Sequence, residues 1–296
     1  MLGGAGFIGS NLVERLLAED HRVDVVDDLS TGSLANLAEA RQLGGELTIH
    51  TLDALAPELG SLVARRAPDV IYHLALRFDR RLDGPGAGRT LQSVVGAAEA
   101  ARRTATSKLV VAVPAAALYG RVAARDQPVK EGHDWSPVGL RGVVARAVVD
   151  LLGVYRAEHD VEHTVAVLGT VYGPRQRPGA GVVATFMAAA GAGRTPQIHG
   201  DGRQTRDFVF VDDAVEALSR AASRGGGLVV NVATGTATSI RDLWTVVAGA
   251  EPPPSSYVDE PPGEVGRLAV SPTRARIHLA WAPWTDLATG LASLRS

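Results

Sequence analysis

Three glycines three residues apart, Gly3, Gly6 and Gly9 in Gly-Gly-Ala-Gly-Phe-Ile-Gly, stand at the mouth of an apolar helical pattern. Missing side chains there let a pyrophosphate approach backbone N–H groups and the positive end of a helix dipole, the chemistry of a dinucleotide phosphate loop. An apolar run, Arg22 to Val26, follows, and then Asp27. A carboxylate at the end of such a strand accepts hydrogen bonds from the adenosine ribose hydroxyls. Its charge repels a 2′-phosphate, so the pair of features points to NAD in preference to NADP. The plain alternative, a glycine turn beside a surface aspartate, does not account for the spacing of both.

Other site chemistries find little support. The chain has no cysteine, which removes disulfides, thiolate nucleophiles and cysteine-ligated metals. His21, His50, His73, His133, His159, His163, His199 and His278 show no His-Glu-x-x-His or related spacing, and no metal site is expected. No Gly-x-Ser-x-Gly elbow argues for acyl transfer. A formal net charge of -2 leaves no basic footprint for nucleic acid. No run approaches the roughly 18 apolar residues of a membrane span, and the first residues do not read as a signal peptide. The expectation is a cytoplasmic protein working on a small molecule.

Positioning these groups requires a parallel sheet. The 296 residues, 46% hydrophobic and 21% charged, suffice for a sizeable core. Apolar runs of strand length near Arg22–Val26, Glu46–Thr51, Asp69–His73, Lys108–Val113 and His163–Leu168 alternate with amphipathic stretches near Ile8–Ala18, Pro57–Arg65, Arg89–Arg103 and Arg141–Glu158. That is the βαβ rhythm of an α/β, Rossmann-type doubly wound sheet. It predicts a dinucleotide-binding domain over 1–168 and, where Gly/Pro-rich turns take over, a smaller substrate lobe over 169–296, with some segments returning to the sheet. His73 ends a buried strand and is expected to make a structural hydrogen bond. The prolines Pro252–Pro254 and Pro261–Pro262 read as a surface loop.

The glycine loop with Asn11-Leu12-Val13 after it, and Val26-Asp27-Asp28-Leu29-Ser30-Thr31-Gly32, resemble the extended short-chain dehydrogenase/reductases. Within them the chain is similar to the NAD-dependent nucleotide-sugar epimerases and dehydratases. Tyr72-His73-Leu74-Ala75, Val171-Tyr172-Gly173-Pro174-Arg175-Gln176, the run Gly200 to Phe208, Val211-Asp212-Asp213 and Asn231 to Gly235 carry the likeness along nearly the whole chain. The resemblance implies that Phe7 and Ile8 belong to the cofactor loop. It also implies that Asp28, Leu29, Ser30 and Asp53 surround the adenosine and that Leu74 and Ala75 line the cofactor groove. Arg206 and Arg267 would hold the nucleotide-sugar diphosphate, and Thr170 stands where relatives often carry Asn for the sugar phosphate. One departure is the first strand, here only Met1-Leu2 before the loop. A true start upstream is the favoured explanation, because that strand lies in the centre of a doubly wound sheet.

By the same resemblance a sugar hydroxyl is oxidised with a Tyr-x-x-x-Lys pair on a helix and a nearby Ser or Thr. Four residues after Tyr72, Tyr119, Tyr155, Tyr172 and Tyr257 stand Leu76, Ala123, His159, Gln176 and Pro261, so the pair is absent from this sequence. Counting back from Tyr155 and forward from Glu131 places Arg141 at the Tyr position and Ala145 at the Lys position. The run Ala117-Leu118-Tyr119-Gly120 places Ala115 at the Ser/Thr position. Arginine, whose guanidinium ordinarily gives up its proton only far above neutral pH, is not a base there. Tyr119 is the first candidate replacement, ahead of His133 and Asp126, although each reads more simply as a packing or surface residue. The run Arg77-Phe78-Asp79-Arg80-Arg81 replaces a small polar loop; it is either an anion site or a solvated charge run.

The expected function is an NAD-binding protein of the epimerase/dehydratase type acting on an NDP-hexose, its activity impaired or redirected. The alternative is an inactive binding or regulatory relative, a pseudoenzyme. A homodimer is expected through apolar faces at Leu91, Val94, Val95 and Ala98 and at Val144, Val148, Leu151 and Leu152.

Overall fold

In the computed structural model, which describes residues 1–78, 82–104, 106–249, 255–259 and 265–295, the apolar runs become strands and the amphipathic stretches cover them. The first half contains α1 (Phe7–Ala18), β1 (Val23–Asp27), β2 (Leu47–Thr51), α2 (Glu58–Arg66), β3 (Val70–His73), α3 (Gly84–Thr104), β4 (Lys108–Pro114), α4 (Ala115–Tyr119), α5 (Gly139–His159) and β5 (His163–Leu168). There follow β6 (Thr170–Tyr172), α6 (Val182–Gly191), β7 (Gln197–His199), β8 (Thr205–Arg206), β9 (Phe208–Phe210), α7 (Val211–Ala221) and β10 (Leu228–Val232). The chain ends with β11 (Thr238–Ser239), α8 (Ile240–Ala248), β12 (Ser256–Val258), α9 (Thr273–His278) and α10 (Leu287–Ser293).

The large sheet is parallel, with β1 beside β2 and the order β10, β5, β4, β3 beyond them. Its central strands are apolar throughout because helices cover both faces. On one face α2, α3 and α5 close over Leu109, Val111, Val165 and Val167. On the other, α1 and α7 close over Val25, Val110, Ala166 and Val230. The fold is therefore the expected Rossmann-type α/β sheet. A smaller C-terminal lobe gathers α6, α8 and α10 around Tyr172, Phe186, Phe208, Phe210 and Trp244. From within the second half, β10 pairs with β5 and α7 packs on α1, so the sequence returns to the large sheet.

Leu2 joins the two parts of that sheet, bridging in parallel to Val26 on one side and His73 on the other. Its N–H donates to Tyr72 O at 2.8 Å, and its carbonyl accepts from Leu74 N–H at 2.9 Å. Toward the amino ends of β1 and β3 the strands part around a cavity of about 530 Å³ lined by Leu16, Val23, Leu62, Val63 and Ile71 among others.

The helix faces differ from the sequence expectation. Val94, Ala98, Val144, Val148 and Leu152 are buried in the core, because α3 and α5 pack on each other and on the sheet. Leu91, Val95 and Leu151 are half-buried. The outward stripe of α5 is instead Leu140, Val143 and Val154, which are 41%, 57% and 51% exposed. Among the described residues no helix is long and apolar enough to cross a membrane.

Candidate active site

The glycine loop is shaped by contacts between backbones. Gly3 has φ +82°, and a Cβ there would lie 2.8 Å from Ala75 N; one at Gly9 would lie 2.1 Å from Gly3 O. These two glycines are required by the turn and its packing against the Leu74-Ala75 segment. Gly6 is different, since a Cβ there would meet only Gly3 O at 3.3 Å, and the residue faces a groove. Gly6 is also the extended N-cap of α1, with no side chain capping it. The N–H groups of Phe7, Ile8 and Gly9 in the first turn have no intrahelical acceptor, leaving the dipole's positive end for an anion.

Asp27, at the end of β1, is 8% exposed. One carboxylate oxygen accepts from Ala5 N–H and the other from Leu29 N–H, both at 2.9 Å. The second bond holds Leu29 at φ +58°, a left-handed conformation uncommon for a branched side chain. Each oxygen keeps a further lone pair for a ribose hydroxyl. Asp28 is exposed and accepts from Ser30 N–H at 2.9 Å and Ser30 Oγ at 2.6 Å. Asp53, after β2, accepts from Leu55 N–H at 2.9 Å and pairs with Arg89 of α3 at 2.5 Å. The Leu55 N–H is the largest influence holding its carboxyl below the ordinary value; Arg89 and Arg77 add to it against partial desolvation.

One groove is thus lined by Gly3, Gly6, Asp27, Asp28, Ser30, Asp53, Leu74 and Ala75. Leu52, Thr90 and Ser93 line it too, and sequence reasoning missed them. Nothing in the periodicity says which face of α3 looks into the groove. Ser93 also accounts for His73, whose Nε2 lies 3.0 Å from its Oγ, while burial lowers the His73 pKa to about 4. The donors fit a dinucleotide, with N–H groups and a dipole for phosphate and a carboxylate for ribose.

The three expected catalytic positions lie on adjoining helices. Ala115 starts α4 where β4 ends and is 2% exposed. Arg141, half-exposed, and Ala145, fully buried, lie one turn apart on α5. Gly142 brings the helices together, since a Cβ there would lie 3.1 Å from Ala117 O. Arg141 makes no hydrogen bond or ion pair among the described residues.

Tyr119, the first candidate for a relocated base, is a core residue. It is fully buried and donates its hydroxyl to Asn231 Oδ1 at 2.6 Å. Burial, reinforced by Glu131, raises its pKa. Asn231 is itself tied to Glu131, Val129 O and Ser271 O, so the phenol joins elements far apart in sequence and cannot reach a substrate without opening the core. His133 is half-buried in a turn, and Asp126 lies beside Arg125 in a short 3₁₀ segment.

On the other lobe, Arg206 lies on β8, which pairs with β11. Thr205 N–H donates to Gly266 O at 2.9 Å, bringing Arg206 and the exposed Arg267 onto neighbouring segments. Thr170, half-buried, donates its N–H to Asp207 O at 2.6 Å. Asp79, Arg80 and Arg81, and both proline clusters, lie outside the described residues. Among the described residues no group of three His, Asp or Glu is placed to hold a metal ion.

Comparison with known proteins agrees with this geometry. The model of the NAD dependent epimerase/dehydratase family matches residues 1–233. A UDP-glucose 4-epimerase of Mycolicibacterium smegmatis is 41% identical over 98% of this chain and 95% of its own length. The UDP-glucose 4-epimerase of Thermotoga maritima, solved with UDP-glucose, superposes with a TM-score of 0.91 at 29% identity, over 98% of this chain and 94% of that one. That of Thermus thermophilus, solved with NAD, gives 0.88 at 28% identity, over 98% and 95%. With its loop, sheet and C-terminal lobe in that arrangement, the chain belongs to the NAD-dependent epimerase/dehydratase family, whose members bind NAD and nucleotide-sugars.

Proposed function

We propose that this protein binds NAD and an NDP-hexose, UDP-glucose being the first candidate from its relatives, and that its turnover at the sugar is impaired or redirected. The groove of Gly6, Asp27 and the first turn of α1 supports the cofactor assignment. Phe7 and Ile8 N–H would receive phosphate oxygens, Asp27 the ribose hydroxyls and Asp53 the adenosine edge, with Leu74 and Ala75 along the opposite wall. Arg206 and Arg267 would take the sugar-nucleotide diphosphate, with Thr170 nearby, and a domain boundary near residue 168 would set the cleft between them. The chemistry supplied by bound NAD is reversible hydride exchange with a sugar carbon.

The observation that carries the impaired-turnover reading is the set at the junction of α4 and α5. Oxidising a hydroxyl requires a group that accepts its proton. Ala115 and Ala145 carry no group that can, and a guanidinium is a donor without an acceptor lone pair. A positioned acid/base contributes typically about 10²- to 10⁴-fold in rate. Loss of three groups that act as one unit is not multiplied further. The limiting case is a protein that binds both ligands without turning over.

The test is UDP-glucose to UDP-galactose conversion beside calorimetry with NAD and UDP-glucose. We expect binding with slow conversion, raised by Ala115→Ser, Arg141→Tyr and Ala145→Lys together. The gain falls short of the full factor because Ala145 has no exposed surface and a lysine there must displace packing. Wild-type conversion on the order of 10 s⁻¹, the enzyme median, overturns the reading.

A further inference from the structure

Asp207 links β8 to β9 and is 3% exposed. Its Oδ1 accepts from Thr234 N–H at 2.8 Å and from Thr234 Oγ1 at 2.7 Å. Its Oδ2 accepts from Gly235 N–H at 2.9 Å and from Val270 N–H at 3.1 Å. Four donors from two stretches of chain that are remote in sequence converge on one buried carboxylate. The Asp207 carbonyl takes a fifth, the Thr170 N–H at 2.6 Å.

These bonds frame the two arginines of the C-terminal half. Arg206 stands between Thr205 and Asp207, and Arg267 lies within 266–270. Thr205 N–H holds one end of that stretch through Gly266 O at 2.9 Å, while Asp207 Oδ2 holds the other through Val270 N–H. The opposite edge is occupied as well. Val129 N–H donates to Ala269 O at 2.9 Å, and Ser271 N–H to Val129 O at 2.8 Å. Gln127 accepts from Ala269 N–H and donates to Arg267 O, both at 3.0 Å. Without the Asp207 carboxylate, Val270 N–H would be a buried donor lacking a partner, and one of the two described ties between this stretch and the strand of Arg206 would be gone.

We propose that Asp207 is the positioning residue of the nucleotide-sugar site: its carboxylate fixes 266–270 against β8, so that Arg206 and Arg267 meet one diphosphate together. A guanidinium contributes most when its planar fork is already aimed at the phosphate oxygens. An arginine on a loosened stretch must be ordered as the ligand binds, which lowers affinity. Asp207 itself touches no ligand in this role. The inference rests on the assignment of Arg206 and Arg267 to the diphosphate.

Calorimetry with UDP-glucose, UDP and NAD on the full chain, its Asp207→Asn and Arg267→Gln variants and the double variant tests it. Asp207→Asn keeps the side chain's shape, but an amide nitrogen cannot accept the N–H groups that converge there. We expect it to weaken UDP-glucose and UDP on the order of 10- to 100-fold and to leave NAD within twofold. Arg267→Gln should weaken UDP-glucose in the wild-type background, and that loss should shrink by roughly threefold or more beside Asp207→Asn, since the two act through one contact. Losses that simply multiply overturn the inference, because a carboxylate that only stabilises the fold is not coupled to Arg267. UDP affinity of Asp207→Asn within twofold of wild type overturns it too, as does an equal loss for NAD. If Asp207→Asn does not fold, Thr234→Val, which removes only the Oγ1 bond, takes its place in the cycle, with coupling to Arg267→Gln supporting the inference and multiplying losses overturning it. Wild-type protein that binds NAD but neither uridine nucleotide, or Arg267→Gln that binds UDP-glucose as wild type does, overturns the diphosphate assignment and this inference together.

Discussion

Replacing Asp27 by Ala tests two properties at once, because the carboxylate supports the loop and, on the function proposed above, receives the ribose. It removes the acceptors of Ala5 N–H and Leu29 N–H, each bonded at 2.9 Å. Ala5 is fully buried, so water does not replace the lost partner, and an orphaned buried donor costs about 1–3 kcal/mol. Leu29 is half-buried and adds less, giving about 2–4 kcal/mol against a typical total of about 5–15 kcal/mol. At roughly 2–4 °C per kcal/mol for chains approaching this size, the protein without ligand should lose about 4–16 °C of Tm. NAD affinity should fall further through the lost ribose acceptors. Thermal unfolding without ligand separates the first effect from calorimetry with NAD. Asp28→Ala, an exposed turn residue, should change stability by less than about 0.5 kcal/mol. An apo Tm of Asp27→Ala equal to wild type would refute the claim that this carboxylate holds the loop.

Three further outcomes are expected. NAD should bind more tightly than NADP, since a 2′-phosphate would be placed against Asp27; equal affinities in a competition titration count against it. Acid should destabilise the fold through His73: its pKa is pushed down to about 4 by burial against about 6.5 unfolded, so the unfolded chain takes up the proton first. That stability is complete above about pH 6.5 and falls on the order of 3 kcal/mol as pH drops toward 4. His73→Gln should flatten this limb of a denaturation-versus-pH series, and an unchanged slope would exclude His73. We also propose a homodimer through the outward stripe of α5; Val143→Asp, at a position 57% exposed, should then yield folded monomer by sedimentation, whereas a wild-type mass of one chain at micromolar concentration rules the interface out.

Much of the cofactor half was legible because its signals are local. Glycines at Gly3, Gly6 and Gly9 need only their own backbone and the start of α1. The run Arg22–Val26 ahead of Asp27 corresponds to β1 at Val23–Asp27, and the stretch Arg141–Glu158 to α5 at Gly139–His159. Periodicity reports that a residue is buried, and alternation of strand and helix reports the layer order.

What periodicity does not report is the partner. Val144 and Val148 have the spacing of either an interface or a core, and the packing of α3 on α5 decided for the core. Tyr119 has the chemistry of either a base or a tie; Asn231, 112 positions away, accepts its hydroxyl and makes it a tie. Arg89 and Asp53, 36 positions apart, pair at the rim, while Arg77, 47 positions from Ser30, donates to its hydroxyl. The sequence by itself determined the phosphate loop, the βαβ order and the absence of a Tyr-x-x-x-Lys pair, because each is written in neighbouring residues. Which side chains are spent on one another and which remain for a ligand was decided by the tertiary structure, since hydrogen bonds and ion pairs depend on distances that only the folded sheet sets.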